Sequence, residues 1–123
     1  MRFAEDSNDA LYLIRAYAPG QVTVNNDVLI RSFVISPEQL LRDWPPQCFA
    51  ELTREHLNIA TALKPEILII GTGAQTRFPH PSLIAQLQAQ GIGVEVMDTA
   101  AACRTYNILV GEQRRVTAAL LMA

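Results

Sequence analysis

Two stretches of the chain carry residue types that can bind or react. The first, Gly71-Thr72-Gly73-Ala74-Gln75-Thr76-Arg77-Phe78, pairs glycines that let backbone approach a bound group with an arginine. The planar guanidinium fork of Arg77 matches a carboxylate or phosphate. The second runs Asp98-Thr99-Ala100-Ala101-Ala102-Cys103-Arg104-Thr105-Tyr106-Asn107 and reads as the start of a helix, where unpaired N–H groups favour negative charge. If both segments follow neighbouring parallel strands, they share one rim of the domain. The crevice between them then has the composition of a site for a small anionic ligand. Gly71, Thr72, Gly73, Arg77 and Phe78 supply one side; Asp98, Thr99, Arg104, Tyr106 and Asn107 supply the other.

Each of these residues also has a purely architectural reading. A dinucleotide fingerprint needs a third glycine at position 76, which is Thr76, so the two glycines can simply serve a turn at a strand end. Asp98 is a natural helix N-cap. Cys103 beside Arg104, early in a helix, has neighbours that favour a thiolate nucleophile, with His80 the local candidate base. His56 belongs to a different helix. A small buried cysteine is the competing reading, and no catalytic residue is assigned. Arg104 suits an exposed helical face and Tyr106 a core anchor, whereas Asn107, a mediocre helix former, needs a hydrogen-bonding reason to be inside a helix. Two histidines without a carboxylate at ligand spacing make no metal site, and no cofactor is expected. Trp44, between Asp43 and Pro45-Pro46, reads as a loop plug packed on the sheet. An exposed Trp-Pro-Pro corner would instead suit a protein partner.

The elements that must position these residues follow from pattern and punctuation. Residues 1–9 are polar and acidic without periodicity and read as a loose terminal arm. Leu11 to Tyr17, Val22 to Val24 and Val28 to Ile35 read as three strands. The last two pair through Asn25-Asn26-Asp27, since Asn and Asp tolerate the positive φ of a tight hairpin. Pro37, Pro45 and Pro46 break up a connector with a short helical turn at Glu38 to Arg42. Thr53 as N-cap, with Leu52 and Leu57 as a hydrophobic staple, predicts a helix from Arg54 to Leu63, stopped at Lys64 by Pro65. Glu66 to Ile70 is almost wholly apolar, as expected of a parallel strand covered on both faces in the middle of the sheet. A second helix starts at Pro81 and stops at Gly91; Val94 to Met97 forms a strand; a third helix capped by Asp98 or Thr99 runs to Gly111. Arg115 to Met122 closes the fold as a strand. The order is β-β-β-α-β-α-β-α-β, an α/β fold with an antiparallel opening and right-handed crossovers, and hence a mixed sheet.

The 123 residues, half of them hydrophobic, suit one domain over 1–123. Ten Lys plus Arg against twelve Asp plus Glu leave a formal charge of −2, which speaks against a nucleic-acid partner. Cys48 and Cys103 stand alone and far apart, so neither a disulfide framework nor a thiolate metal site is expected, and a reducing, cytoplasmic location fits. No apolar run approaches the roughly 18 residues of a membrane span, and the start lacks an apolar signal segment.

In this order and spacing, a further set of residues is specific. Gly20-Gln21-Val22 leads to Val24-Asn25, with Trp44 in the connector; Ile69-Ile70-Gly71-Thr72-Gly73 precedes Arg77-Phe78; Gly91-Ile92-Gly93-Val94-Glu95-Val96-Met97-Asp98-Thr99 runs into Ala102-Cys103-Arg104-Thr105-Tyr106-Asn107-Ile108-Leu109. From about Gly20 to Leu121 the chain resembles a family of small bacterial and archaeal domains of unknown function with the Mth938-like fold. A eukaryotic branch of that family includes a mitochondrial assembly factor for respiratory complex I. The resemblance implies a three-layer α/β domain with a mixed central sheet and an extra β-hairpin. It further implies a protein-binding module, non-enzymatic, that aids assembly of a larger complex, membrane or respiratory, with peripheral membrane association. The rival expectation is a small anionic-ligand-binding domain or enzyme using the crevice between loops 71–78 and 98–107. The first residues do not resemble the targeting presequence of the mitochondrial branch, so organelle targeting is not expected, and His80 stands where relatives often carry a serine cap, so it is not expected to be a catalytic residue of the family.

Overall fold

A computed structural model describes residues 11–123, so the expectation of a loose arm over 1–9 lies outside the described residues. Five strands come before the first α-helix: β1 (Ile14–Ala18), β2 (Gln21–Val24), β3 (Asp27–Leu29), β4 (Phe33–Ile35) and β5 (Leu40–Leu41). After a 3-10 turn at Phe49–Glu51 follow α1 (Arg54–Thr61), β6 (Ile67–Thr72), α2 (Pro81–Ala89), β7 (Gly93–Met97), α3 (Thr99–Gly111) and β8 (Val116–Leu121). They form an antiparallel three-stranded sheet, β1-β2-β3, and a mixed five-stranded sheet, β5-β4-β8-β6-β7. In the larger sheet β6 pairs in parallel with both β7 and β8, and β4 is antiparallel to β5 and β8.

The layers follow from alternation along strands buried on both faces. Leu68 and Ile70 of β6, Ala119 and Leu121 of β8 and Val34 of β4 face one way, against Leu57 and Ala60 of α1 and Leu87 of α2. Ile69, Val116, Ala118, Leu120, Phe33 and Ile35 face the other way. There they meet Ala102, Cys103, Tyr106 and Val110 of α3 and Ile14, Val22, Val24 and Leu29 of the small sheet. One layer is therefore α1 with α2, the next is the five-stranded sheet, and the last is α3 beside the three-stranded sheet.

Three expectations are corrected. The strand read from Val28 to Ile35 divides into β3 and β4, which belong to different sheets. Ile30 and Arg31 are exposed between them, and Ser32 is buried, its N–H donating to Gln47 Oε1 at 3.2 Å. An unbroken run of β-type residues cannot reveal that the chain changes layers. The helical turn expected at Glu38 to Arg42 contains β5 instead: Ser36 and Gln39 exchange backbone hydrogen bonds in a tight turn, which returns Leu40 and Leu41 against Ile35 and Val34. The middle position of the sheet belongs to β8, with β6 beside it.

The helices start as their caps dictate. Thr53 Oγ1 accepts from His56 N–H at 3.3 Å, and His56 Nδ1 accepts from Thr53 N–H at 3.1 Å, a reciprocal box closed by histidine rather than Glu or Gln. Lys64 takes φ 58° directly before Pro65, ending the first helical segment. Trp44 is 2 % exposed and donates its Nε1–H to His56 O at 3.0 Å. It is thus the plug between connector and α1, and the exposed Trp-Pro-Pro corner does not form around its ring.

Candidate functional site

The register Gly71↔Met97 between β6 and β7 brings the loop after β6 directly beside the start of α3. Thr99 N–H donates to Gly73 O at 2.9 Å, and Gly73 N–H donates to Thr99 Oγ1 at 2.8 Å. The Thr99 hydroxyl, on a residue 1 % exposed, donates in turn to Leu121 O at 2.6 Å. Thr72 Oγ1 lies 2.6 Å from Gln75 O and 3.2 Å from Met97 O and accepts from Arg77 N–H at 3.1 Å. The two segments share a rim, as their spacing requires, and they are bonded to each other across it.

Glycine makes this closeness feasible. A Cβ on Gly71 would lie 2.8 Å from Leu120 Cδ2 and 3.1 Å from both Ala102 Cβ and Thr99 Oγ1. Gly73 has φ +95°, and a Cβ there would run into the Ala123 carbonyl. Backbone approach at both glycines is therefore taken up by protein atoms.

The third helix spreads its polar residues over different surroundings. Asp98 Oδ1 accepts from Ala101 N–H at 2.8 Å and caps α3. Arg104 is exposed. Tyr106 is buried, its hydroxyl donating to Tyr12 O at 2.8 Å, and burial pushes the phenol well above its ordinary value. Asn107 grips β1: Oδ1 accepts from Ile14 N–H at 3.0 Å and Nδ2 donates to Ile14 O at 2.6 Å. Gly71, Thr72, Gly73, Asp98 and Thr99 thus meet at the rim, whereas Tyr106 and Asn107 reach the segment Tyr12 to Ile14 instead.

Of the two readings of Cys103, the small buried cysteine is the one found. Its side chain packs in the core with Ala102 and Tyr106, and desolvation pushes the thiol from 9.0 up to about 12, outweighing the opposite pull of Arg104. It stays protonated at neutral pH. His80 is occupied at the start of α2, where Nδ1 accepts from Ser82 N–H at 3.1 Å and lies 2.8 Å from Ser82 Oγ. It serves as the cap before Pro81.

A cavity of about 450 Å³ opens beside the first loop, on the side of the connector. Cys48, Phe49 and Ala50 line it together with Thr72, Ala74, Gln75, Arg77 and Ala123. Thr72 and Arg77 are the expected site residues that border it; none of the α3 residues does. No sequence signal marks Cys48 to Ala50 as cavity residues, because the connector shows only breakers and no periodicity. Phe78, next along the loop, is 73 % exposed. Among the described residues no group of three or more His, Cys, Asp or Glu side chains is placed to hold a metal ion.

Comparison with known proteins decides the lineage of this arrangement. Residues 14–121 match the family described as protein of unknown function, DUF498/DUF598. The chain belongs to this family. Its DUF498/DUF598 relatives include the NADH dehydrogenase [ubiquinone] 1 alpha subcomplex assembly factor 3 of Xenopus tropicalis, 33 % identical over 123 residues, covering 98 % of this chain and 66 % of that protein. The corresponding assembly factor of Danio rerio is 33 % identical over 111 residues, 89 % of this chain and 63 % of its own length. The chain thus spans just under two thirds of the assembly factors it matches. The 13 kDa major membrane protein of Francisella tularensis is 29 % identical, with 98 % and 99 % of the two chains covered. Among solved structures, a Bordetella parapertussis protein superposes with TM-score 0.87 at 42 % identity, over 93 % of this chain and 98 % of that one. A Mth938-like domain from Bordetella pertussis gives 0.81 at 35 % identity, over 92 % and 87 %. The Mth938-like α/β fold expected from the resemblance is the one observed.

Proposed function

We propose that this DUF498/DUF598 chain is a non-enzymatic protein-binding domain that aids assembly of a larger complex and docks through the rim carrying Arg77 and Phe78. The observation that carries the reading is membership of a family whose relatives are named assembly factors for NADH dehydrogenase. Two structural facts support it. The rim hydrogen bonds consume the polar groups of Thr72, Gly73 and Thr99 internally, and burial keeps Cys103 protonated. The same loop leaves an aromatic ring exposed beside an arginine, the two residue types that dominate protein-interface energetics.

No helix among the described residues is long and apolar enough to cross a membrane. A cytoplasmic location, with peripheral membrane contact made through a bound partner, belongs to the same proposal. The membrane protein of Francisella tularensis named above supports that contact. The test is co-purification from cells expressing the tagged chain at its native level, with wild type and Phe78→Ser compared. One recurrent polypeptide, retained by wild type and lost with Phe78→Ser while the fold is unchanged, is the expected result. Absence of a recurrent polypeptide, or retention by both chains, overturns the reading.

A further inference from the structure

Among the described residues the two sheets end in four edges, and three of them are short or held. β1 is bulged between Ile14 and Ala16, and Asn107 holds its Ile14 N–H and C=O. β3 is three residues long and β5 two, and Asp27 at the start of β3 pairs with Arg42 just after β5 at 2.6 Å. β7 differs. It is five residues long, contains no proline, and keeps an unbroken register along β6 from Ile67↔Gly93 to Gly71↔Met97. Edges of this kind are normally blunted, because their free N–H and C=O groups invite a further strand.

The pairing with β6 fixes which groups of β7 are free. Gly93 N–H donates to Glu66 O at 2.9 Å, so by alternation Glu95 and Met97 also turn their N–H groups toward β6. Val94 and Val96 therefore turn N–H and C=O away from the sheet, and among the described residues no partner holds them. Their half-buried side chains belong to the apolar cluster that includes Leu83 and Ile84 of α2. Glu95 lies on the opposite face, exposed, and among the described residues it makes no ion pair. A strand added in the antiparallel sense forms hydrogen-bonded pairs at Val94 and Val96. At Glu95 it forms a non-hydrogen-bonded pair, where Cα atoms come within about 4.5 Å and side chains lie closest. The charge of the residue opposite Glu95 is thus read directly. Full overlap with β7 of a second copy sets Glu95 against Glu95, which like-charge repulsion disfavours.

We propose that β7 is a docking edge for an extended segment of another polypeptide, added antiparallel, with a lysine or arginine opposite Glu95 and β-branched apolar residues opposite Val94 and Val96. The main-chain groups of Val94 and Val96 supply affinity, and Glu95 on one face with the apolar α2 side on the other supplies selection. The edge contains none of the residues of the rim around Arg77 and Phe78, and it stands or falls without that reading.

The experiment records amide shifts and hydrogen exchange of the full chain by NMR with an added pentapeptide, acetyl-Thr-Val-Lys-Val-Thr-amide. The same peptide with Glu at its centre, and the Lys peptide with both Val nitrogens methylated, serve as comparisons. In the chain alone the Val94 and Val96 amides are expected to exchange faster than those of Glu95 and Met97. The Lys peptide is expected to shift and protect Val94 and Val96, and to bind about fivefold more tightly than the Glu peptide. Methylation is expected to abolish the effect. Glu95→Lys, at an exposed position, is expected to reverse the preference between the two charged peptides. No shift or protection with the Lys peptide, an equal effect of the Glu or the methylated peptide, or an unreversed preference in Glu95→Lys overturns the proposal. So does self-association through β7, seen as shifts of Val94 and Val96 that grow with protein concentration.

Discussion

Replacing Asn107 by alanine removes both arms of its grip on Ile14, at 3.0 and 2.6 Å, across 93 residues of sequence. A net hydrogen bond contributes about 1 kcal/mol, and a buried backbone group left without a partner costs a further 1–3 kcal/mol or so. Leu13, one residue earlier, has both its N–H and its C=O engaged by Asn25, so nothing on that side replaces the lost partner. Ile14 is 6 % exposed, so water restores only part of the loss. The expected destabilisation is about 2–4 kcal/mol, equivalent to a fall of roughly 10 °C in Tm for a domain of this size. Urea and thermal unfolding measure it directly. Asn107→Asp sharpens the test, since a carboxylate accepts from Ile14 N–H but repels Ile14 O, and only its acid form donates. The folded-state pKa of that aspartate is then raised above about 3.9, so the deficit of the variant shrinks as pH falls toward that value. A loss below about 0.5 kcal/mol, ordinary for a surface substitution, would refute the view that Asn107 holds the small sheet to α3.

Three other outcomes follow from the same geometry. Gly71→Ala forces a methyl against Leu120, Ala102 and Thr99 and is expected to destabilise by about 1–3 kcal/mol in urea unfolding; an unchanged midpoint contradicts the packing argument. The Glu66 carboxyl is held below its ordinary 4.5, first by the Arg115 backbone N–H and also by Arg114, so the stability it contributes is present above about pH 4.5 and lost as pH falls through its depressed folded value. Wild type should therefore exceed Glu66→Gln at neutral pH and converge with it in acid, as read by unfolding midpoints. Because burial raises the Cys103 thiol to about 12, its contribution to stability is constant below its unfolded value of 9.0 and declines as pH rises toward 12. Cys103→Ala should flatten that alkaline decline, and an identical slope in both proteins would contradict it.

Much of this arrangement is legible in the residues. The run Ile67 to Ile70 specifies a strand buried on both faces, and the caps Thr53 and Asp98 start their helices where expected. The misfit of Asn107 in a helix announces the hydrogen bonds that it makes. What is not legible depends on layers rather than on local pattern. Val28 to Ile35 has uniform β character, and only the positions of the two sheets show that Ile30 and Arg31 cross between them. Cys103 has neighbours that favour a thiolate, yet helical phase turns its side chain inward, where desolvation outweighs Arg104. The cavity is built partly by Cys48 to Ala50, from a connector whose prolines conceal any periodicity, so the sequence points only to the wall made by the loop after β6.

The docking rim is tested most directly by placing a photo-crosslinking phenylalanine analogue at position 78 and, as control, at Val28, exposed on the small sheet. With the chain expressed at its native level, irradiation is predicted to yield one recurrent polypeptide adduct from position 78 and none from position 28. Equal labelling from both positions, or no recurrent adduct from position 78, would contradict a partner bound at this rim.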